Sequence, residues 1–94
     1  MSIGQVEQWR YLIVKNEVIE QSILSRIKEL EDILIEIDIL TRSEHVTDEQ
    51  KDVISNNAAF SKRLLEEHRA ELKLVQNGMI NLKKIAKELA GGDK

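Results

Sequence analysis

From Ile54 to Leu89 the chain repeats an apolar pattern every seven residues without a slip. Ala58, Leu65, Leu72, Met79 and Ala86 form one column, while Ile54, Ser61, His68, Val75, Leu82 and Leu89 form the other. Alternating steps of three and four residues keep both columns on one side of an α-helix, and five heptads in a single phase are incompatible with the two-residue period of a strand.

The first half of the chain carries a second such stripe. Val6, Trp9, Ile13, Ile23, Ile27, Leu30, Leu34 and Ile37 follow the same steps, with Asn16 and Glu20 as polar interruptions. Beside this seam runs another row, Leu12, Ile19, Ile33 and Leu40, so the stripe is broader than a two-stranded coiled coil requires. The segment from Ile33 to Leu40 is rich in β-branched Ile and partly alternates apolar with acidic, which in isolation suits a strand. It closes a long periodic segment and has no neighbouring strand to pair with, so it is read as helix.

Local signals punctuate the pattern. Thr41 to Thr47 is short and mostly polar, and Thr47 is followed by Asp48, Glu49 and Gln50. That order predicts a helix N-cap with acids in the first turn and Gln50 reaching back to the cap's backbone. Ser2 and Gln5 repeat the signal more weakly, with Met1 and Val6 spaced as a hydrophobic staple. Gly91-Gly92 is expected to adopt the left-handed conformation that ends a helix, with Lys83, Lys84 and Lys87 near the negative end of its dipole as a solvated helix end. Asn77-Gly78 is a turn dipeptide, yet the apolar steps from Leu72 through Val75, Met79 and Leu82 cross it in phase. Gly78 is then either a tolerated glycine, at about 1 kcal/mol, or a point of close approach by another helix. The resulting expectation is an all-α single domain: helix over about 3–41, polar turn over about 42–47, helix over about 48–90. The two helices form a long antiparallel, coiled-coil-like hairpin, expected to complete a four-helix bundle with a second chain.

Composition narrows the function. The 94 residues contain no Pro and no Cys, so neither a disulfide framework nor a zinc-finger site is available. The net charge of −3 lacks the basic footprint of a nucleic-acid binder. No apolar run reaches the roughly 20 residues of a membrane span, and no secretory signal opens the sequence, so a cytoplasmic setting is expected. A chain this short builds a marginal core unless it shares one.

Catalytic readings find little support. An αα-hairpin offers little concavity in which titratable groups can converge. His68, between Glu67 and Arg69, could be a phosphotransfer site, but such modules present an exposed His with Lys-Gly soon after, whereas Arg69-Ala70-Glu71-Leu72 follows here. Glu67, His68 and Glu71 make half of a di-iron constellation, and the second Glu-x-x-His is missing. Arg26 is the single basic residue on the broad stripe of the first helix, which argues against a small helical mutase. No catalytic residue, metal or cofactor is assigned. Asn16, Ser61 and His68 are expected instead to act as polar seam residues that set helix register.

The stretch Trp9-Arg10-Tyr11-Leu12-Ile13-Val14-Lys15-Asn16-Glu17-Val18-Ile19 resembles the aromatic, leucine and glutamate rhythm of the small flagellar export chaperones of the FlgN and FliT type. Asn57 to Leu89 is similar to their later long helix. The resemblance implies an all-α cytoplasmic protein that shields aggregation-prone termini of hook-associated or filament-cap proteins before export. It would place Trp9, Leu12 and Ile19 in the helical core and Leu64, Leu65, Leu72 and Val75 on the client-facing helix.

A hairpin buries one seam per helix, and this sequence has apolar residues to spare, Val14, Ile35 and Leu74 among them. Leu12, Ile19, Ile33, Leu40, Leu64, Leu65, Leu72, Val75 and Ile85 are the expected partner-binding residues. The partner is protein: an amphipathic helix of another chain, as for an export chaperone, or another copy, as in a coiled-coil scaffold.

Overall fold

The computed structural model describes residues 3–91. Two helices account for nearly all of them: α1, Ile3–Thr41, and α2, Asp48–Gly91. No strand occurs among the described residues, and Ile33 to Leu40 lies inside α1. The helices pack along their length as an extended hairpin measuring 70 × 15 × 14 Å. Its radius of gyration is 20.9 Å, against about 12 Å for a compact chain of this size.

The turn is held by short-range chemistry. At the end of α1, the Arg42 and Ser43 amides donate to Ile39 O at 3.2 Å and Leu40 O at 3.0 Å, tightening the last turn. The Thr41 hydroxyl donates to Ile37 O at 2.8 Å. The α2 capping box closes in both directions: the Gln50 amide donates to Thr47 Oγ1 at 3.1 Å, and the Thr47 amide to Gln50 Oε1 at 3.0 Å. Two otherwise unpaired backbone donors are thereby satisfied.

One expectation about glycine is corrected in part, and at Gly78 one of two alternatives is selected. Gly91 remains within α2, and no described glycine has positive φ, so the left-handed cap is not at Gly91. Gly92 lies outside the described residues, as do Met1 and Ser2 with their staple and cap. Because α2 extends to Gly91, Lys83, Lys84 and Lys87 stand before its last turn, where the helix dipole has little effect. At Gly78 the helix continues unbroken, and a Cβ there would meet nothing within 4 Å. No helix of this chain approaches it, so it is a tolerated helical glycine within the hairpin.

The core is a single line. Ile23, Ile27 and Leu65 form its centre, with Leu30, Leu34, Leu72 and Val75 packed against them, and Met79 is 5% exposed further along α2. The covered positions of α1 recur from Val6 to Ile37 in three- and four-residue steps that pass through Asn16 and Glu20. Those of α2 recur in the same way from Ile54 to Leu89. Even so, no large side chain among the described residues is fully buried. The chain exposes 7415 Å², whereas a compact monomer of its mass exposes about 5,500 Å². Two helices side by side cannot enclose a side chain from every direction.

Candidate protein-binding surface

Writing each helix as heptads with the seam at a and d makes the edges of the hairpin distinct. In α1 the d sites are Trp9, Asn16, Ile23, Leu30 and Ile37; in α2 they include Ser61, His68, Val75 and Leu82. Antiparallel helices bring e sites against e sites along one edge and g sites against g sites along the other. Glu17 and Lys83, both e residues, establish this pairing with a contact of 3.8 Å between Oε1 and Nζ. A crevice lined by Ile37, Asp38, Ala58 and Lys62 repeats it nearer the turn, with Asp38 and Lys62 again at e.

The e edge is mostly polar and complementary, with Leu24, 38% exposed, a large apolar side chain within it. α1 contributes Glu17, Glu31 and Asp38, and α2 contributes Lys62, Arg69 and Lys83. Such exposed pairs add little stability, but they favour the antiparallel arrangement over alternatives that bring like charges together.

The g edge is apolar. On α1 it carries Leu12, Ile19, Ile33 and Leu40, between 43% and 49% exposed, interrupted by Arg26. On α2 it carries half-buried Leu64 and exposed Ile85, with Glu71 and Gly78 between them and exposed Asn57 toward the turn. This register brings the g sites nearest in height into pairs: Leu12 with Ile85, Ile19 with Gly78, Arg26 with Glu71, Ile33 with Leu64 and Leu40 with Asn57. Near the turn, Leu40 lines a shallow crevice with Val46, Gln50, Val53 and Ile54. Tyr11 and Leu12 line another on the outer surface of α1 with Gly4, Glu7 and Gln8. Exposed Val53, Phe60 and Leu74, in the c column of α2 beside g, widen the apolar surface. A contiguous patch of this kind marks an association surface more often than scattered exposed leucines do.

Six of the nine expected partner-binding residues thus come together on one edge: Leu12, Ile19, Ile33, Leu40, Leu64 and Ile85. Leu65, Leu72 and Val75 do not. Leu65 is buried, and Leu72 and Val75 pack against the central cluster, so α1 already covers all three. Of the remaining apolar residues, Val14 and Ile35 are exposed at b sites away from the g column, whereas exposed Leu74 lies in the c column beside it. Arg26 and Glu71 are the charged members of the edge, and neither is among the nine expected residues. Their signal was positional, since each is the one charged residue in its helix's g column, which is otherwise apolar from Leu12 to Leu40 in α1 and, from Asn57 to Ile85 in α2, consists of Asn57, Leu64, Gly78 and Ile85.

The seam's polar residues are accommodated locally. Asn16 Nδ2 donates to Leu12 O one turn back at 2.8 Å. Ser61 is buried at 6% exposure, a small side chain across from Leu34 in the register that joins Ile37 to Ala58. His68 points Nδ1 toward Glu71 Oε2 at 3.5 Å, an approach too long for a good hydrogen bond, and that nitrogen has no hydrogen-bond partner. The seam position of His68 places its ring between the helices instead of presenting it to solvent. Among the described residues no group of three or more His, Cys, Asp or Glu is arranged to hold a metal ion, and no helix is long and apolar enough to cross a membrane.

No family model, curated protein or solved structure matches the chain. The functional reading therefore rests on the geometry of the two edges.

Proposed function

We propose that this protein is a non-catalytic protein-binding or assembly module, and that its apolar g edge receives an amphipathic helix from another chain. The observation that carries this reading is the co-alignment of Leu12, Ile19, Ile33 and Leu40 of α1 with Leu64 and Ile85 of α2 on the edge opposite the Glu17–Lys83 contact. A helix laid there would supply the third side that the hairpin seam lacks, and it would bury surface at roughly 25 cal/mol per Å². Cytoplasmic export chaperoning of flagellar-type substrates is one form of this activity, supported by the resemblance of Trp9 to Ile19 and Asn57 to Leu89. Serving as a coiled-coil scaffold subunit is the other, supported by the unbroken heptads of α2.

The module reading is tested by placing a photo-crosslinking residue at Ile19 or Ile33 on the g edge, and at Glu31 or Lys62 on the e edge, in the full chain in its native cells. Cross-links to protein from the g edge alone are expected. Equal labelling from both edges, or none from the g edge, would reject the reading. The chaperone form additionally predicts that a terminal peptide of a filament-cap or hook-associated protein raises the melting temperature in proportion to its occupancy.

A further inference from the structure

The helix most suited to the g edge is supplied by a second copy of the chain. Resting on the module reading above, we infer that two hairpins dock through their g edges about a two-fold axis parallel to the rod, forming a four-helix bundle with Arg26 of each chain against Glu71 of the other.

The inference comes from the order of residues along the edge. Apolar pairs, Leu12 with Ile85 and Ile33 with Leu64, flank one pair of opposite charges, Arg26 and Glu71, and beyond them at the turn end Leu40 faces the uncharged Asn57. Rotation by 180° about an axis parallel to the rod carries α1 of one chain over α2 of the other at unchanged height. Leu12 then meets Ile85, Ile33 meets Leu64, and Ile19 meets Gly78, where space is open in the isolated hairpin. Each Arg26 meets a Glu71, and each helix lies antiparallel to the helix it gains as a neighbour. A two-fold axis perpendicular to the rod through the same centre would instead set Arg26 on Arg26 and Glu71 on Glu71. Charge complementarity therefore selects one symmetric arrangement from two, and isologous two-fold contacts are the commonest way for a chain to cover such a face.

The dimensions agree. From Leu12 to Leu40 the edge runs about 42 Å at 1.5 Å per residue. Multiplied by the 15 Å breadth of the rod, this gives a footprint of roughly 600 Å² per chain before side-chain relief is counted, close to the ~800 Å² per partner of a standard interface. The interface would enclose the seam of each hairpin on a further side, which a core with no fully buried large side chain needs.

Sedimentation velocity on the full chain, with circular dichroism in parallel, tests this. The wild type is expected to sediment as a dimer. Arg26→Glu and Glu71→Arg should each weaken it by about 100-fold, because each places like charges together twice. Mixing these two variants should restore the dimer, since every mixed contact again pairs opposite signs; Glu31→Arg on the e edge should leave it intact. If either variant alone loses helicity, the mixture must regain both helix and dimer. As a second measurement, the cysteine-free background permits Ile33→Cys and Leu64→Cys chains to be mixed and oxidised, with the heterologous cross-link expected to exceed either homologous one. A helical wild-type monomer at tens of micromolar, a dimer insensitive to both reversals, a mixture that fails to reassociate, or predominant homologous cross-links would each overturn the inference. A monomer that still cross-links to a different protein through Ile19 or Ile33 would overturn only the second copy and leave the module reading standing.

Discussion

The two edges of the hairpin are made by the same helices at the same heptad spacing, yet they differ in chemistry. Along the e edge, acids on α1 face bases on α2, with Glu17 and Lys83 3.8 Å apart. Along the g edge, Leu12, Ile19, Ile33 and Leu40 remain more than two-fifths exposed despite their chemistry. The seam between the edges cannot explain the difference, because it is covered by both helices alike. One edge is mostly charged, with Leu24 a large apolar member, and the other carries most of the flanking leucines and isoleucines, so the two edges of the hairpin are chemically distinct.

Substitutions can break or sharpen that contrast. The largest stability effect belongs to the seam: Leu65→Ala should lower the unfolding free energy by about 3 kcal/mol in urea melts, because the centre of the line loses its contacts with Ile23 and Ile27. On the g edge, the pair Ile19→Gln and Ile33→Gln should preserve helicity at high concentration while removing any dependence of the melting temperature on protein concentration, which differential scanning fluorimetry over a dilution series would read. If that double variant instead costs as much as Leu65→Ala at every dilution, the edge belongs to the fold and the contrast fails.

Smaller effects sharpen the picture. His68→Leu should stabilise the hairpin by about 1–2 kcal/mol, since it replaces a seam side chain whose Nδ1 has no hydrogen-bond partner with one that packs. A loss of stability would show that His68 makes a polar contact in solution. Gly78→Ala should add about 1 kcal/mol of helix propensity, as a Cβ there meets no atom of the chain. Thermal unfolding would measure both. Last, Lys83→Ala should change stability by less than about 0.5 kcal/mol and lose even that effect in 1 M salt, as an exposed ion pair does.

Much of this architecture was legible before any coordinates. The unbroken heptads predict α2, Thr47 and Gln50 predict its capping box, and the phase carried across Asn77-Gly78 indicates that the helix continues. These are local or periodic properties, set by backbone sterics and by the 3.6-residue turn. The glycine end was misjudged at Gly91 because a Gly-Gly pair signals termination without specifying which residue ends the helix. Leu65, Leu72 and Val75 were assigned to a partner because a one-dimensional pattern cannot tell an apolar residue covered by its own hairpin from one left uncovered.

The sequence by itself determined that this chain has two long helices with one apolar seam each, and that apolar residues would be left over. Only the tertiary structure decided where those residues go. Antiparallel pairing places g sites opposite g sites, so Leu12 and Ile85, distant in the chain, become neighbouring sites on the same edge. It also makes Arg26 and Glu71 nearest neighbours among the g sites. Periodicity along a helix identifies a face, but the relative direction and register of two helices determine whether their remaining faces combine into one surface.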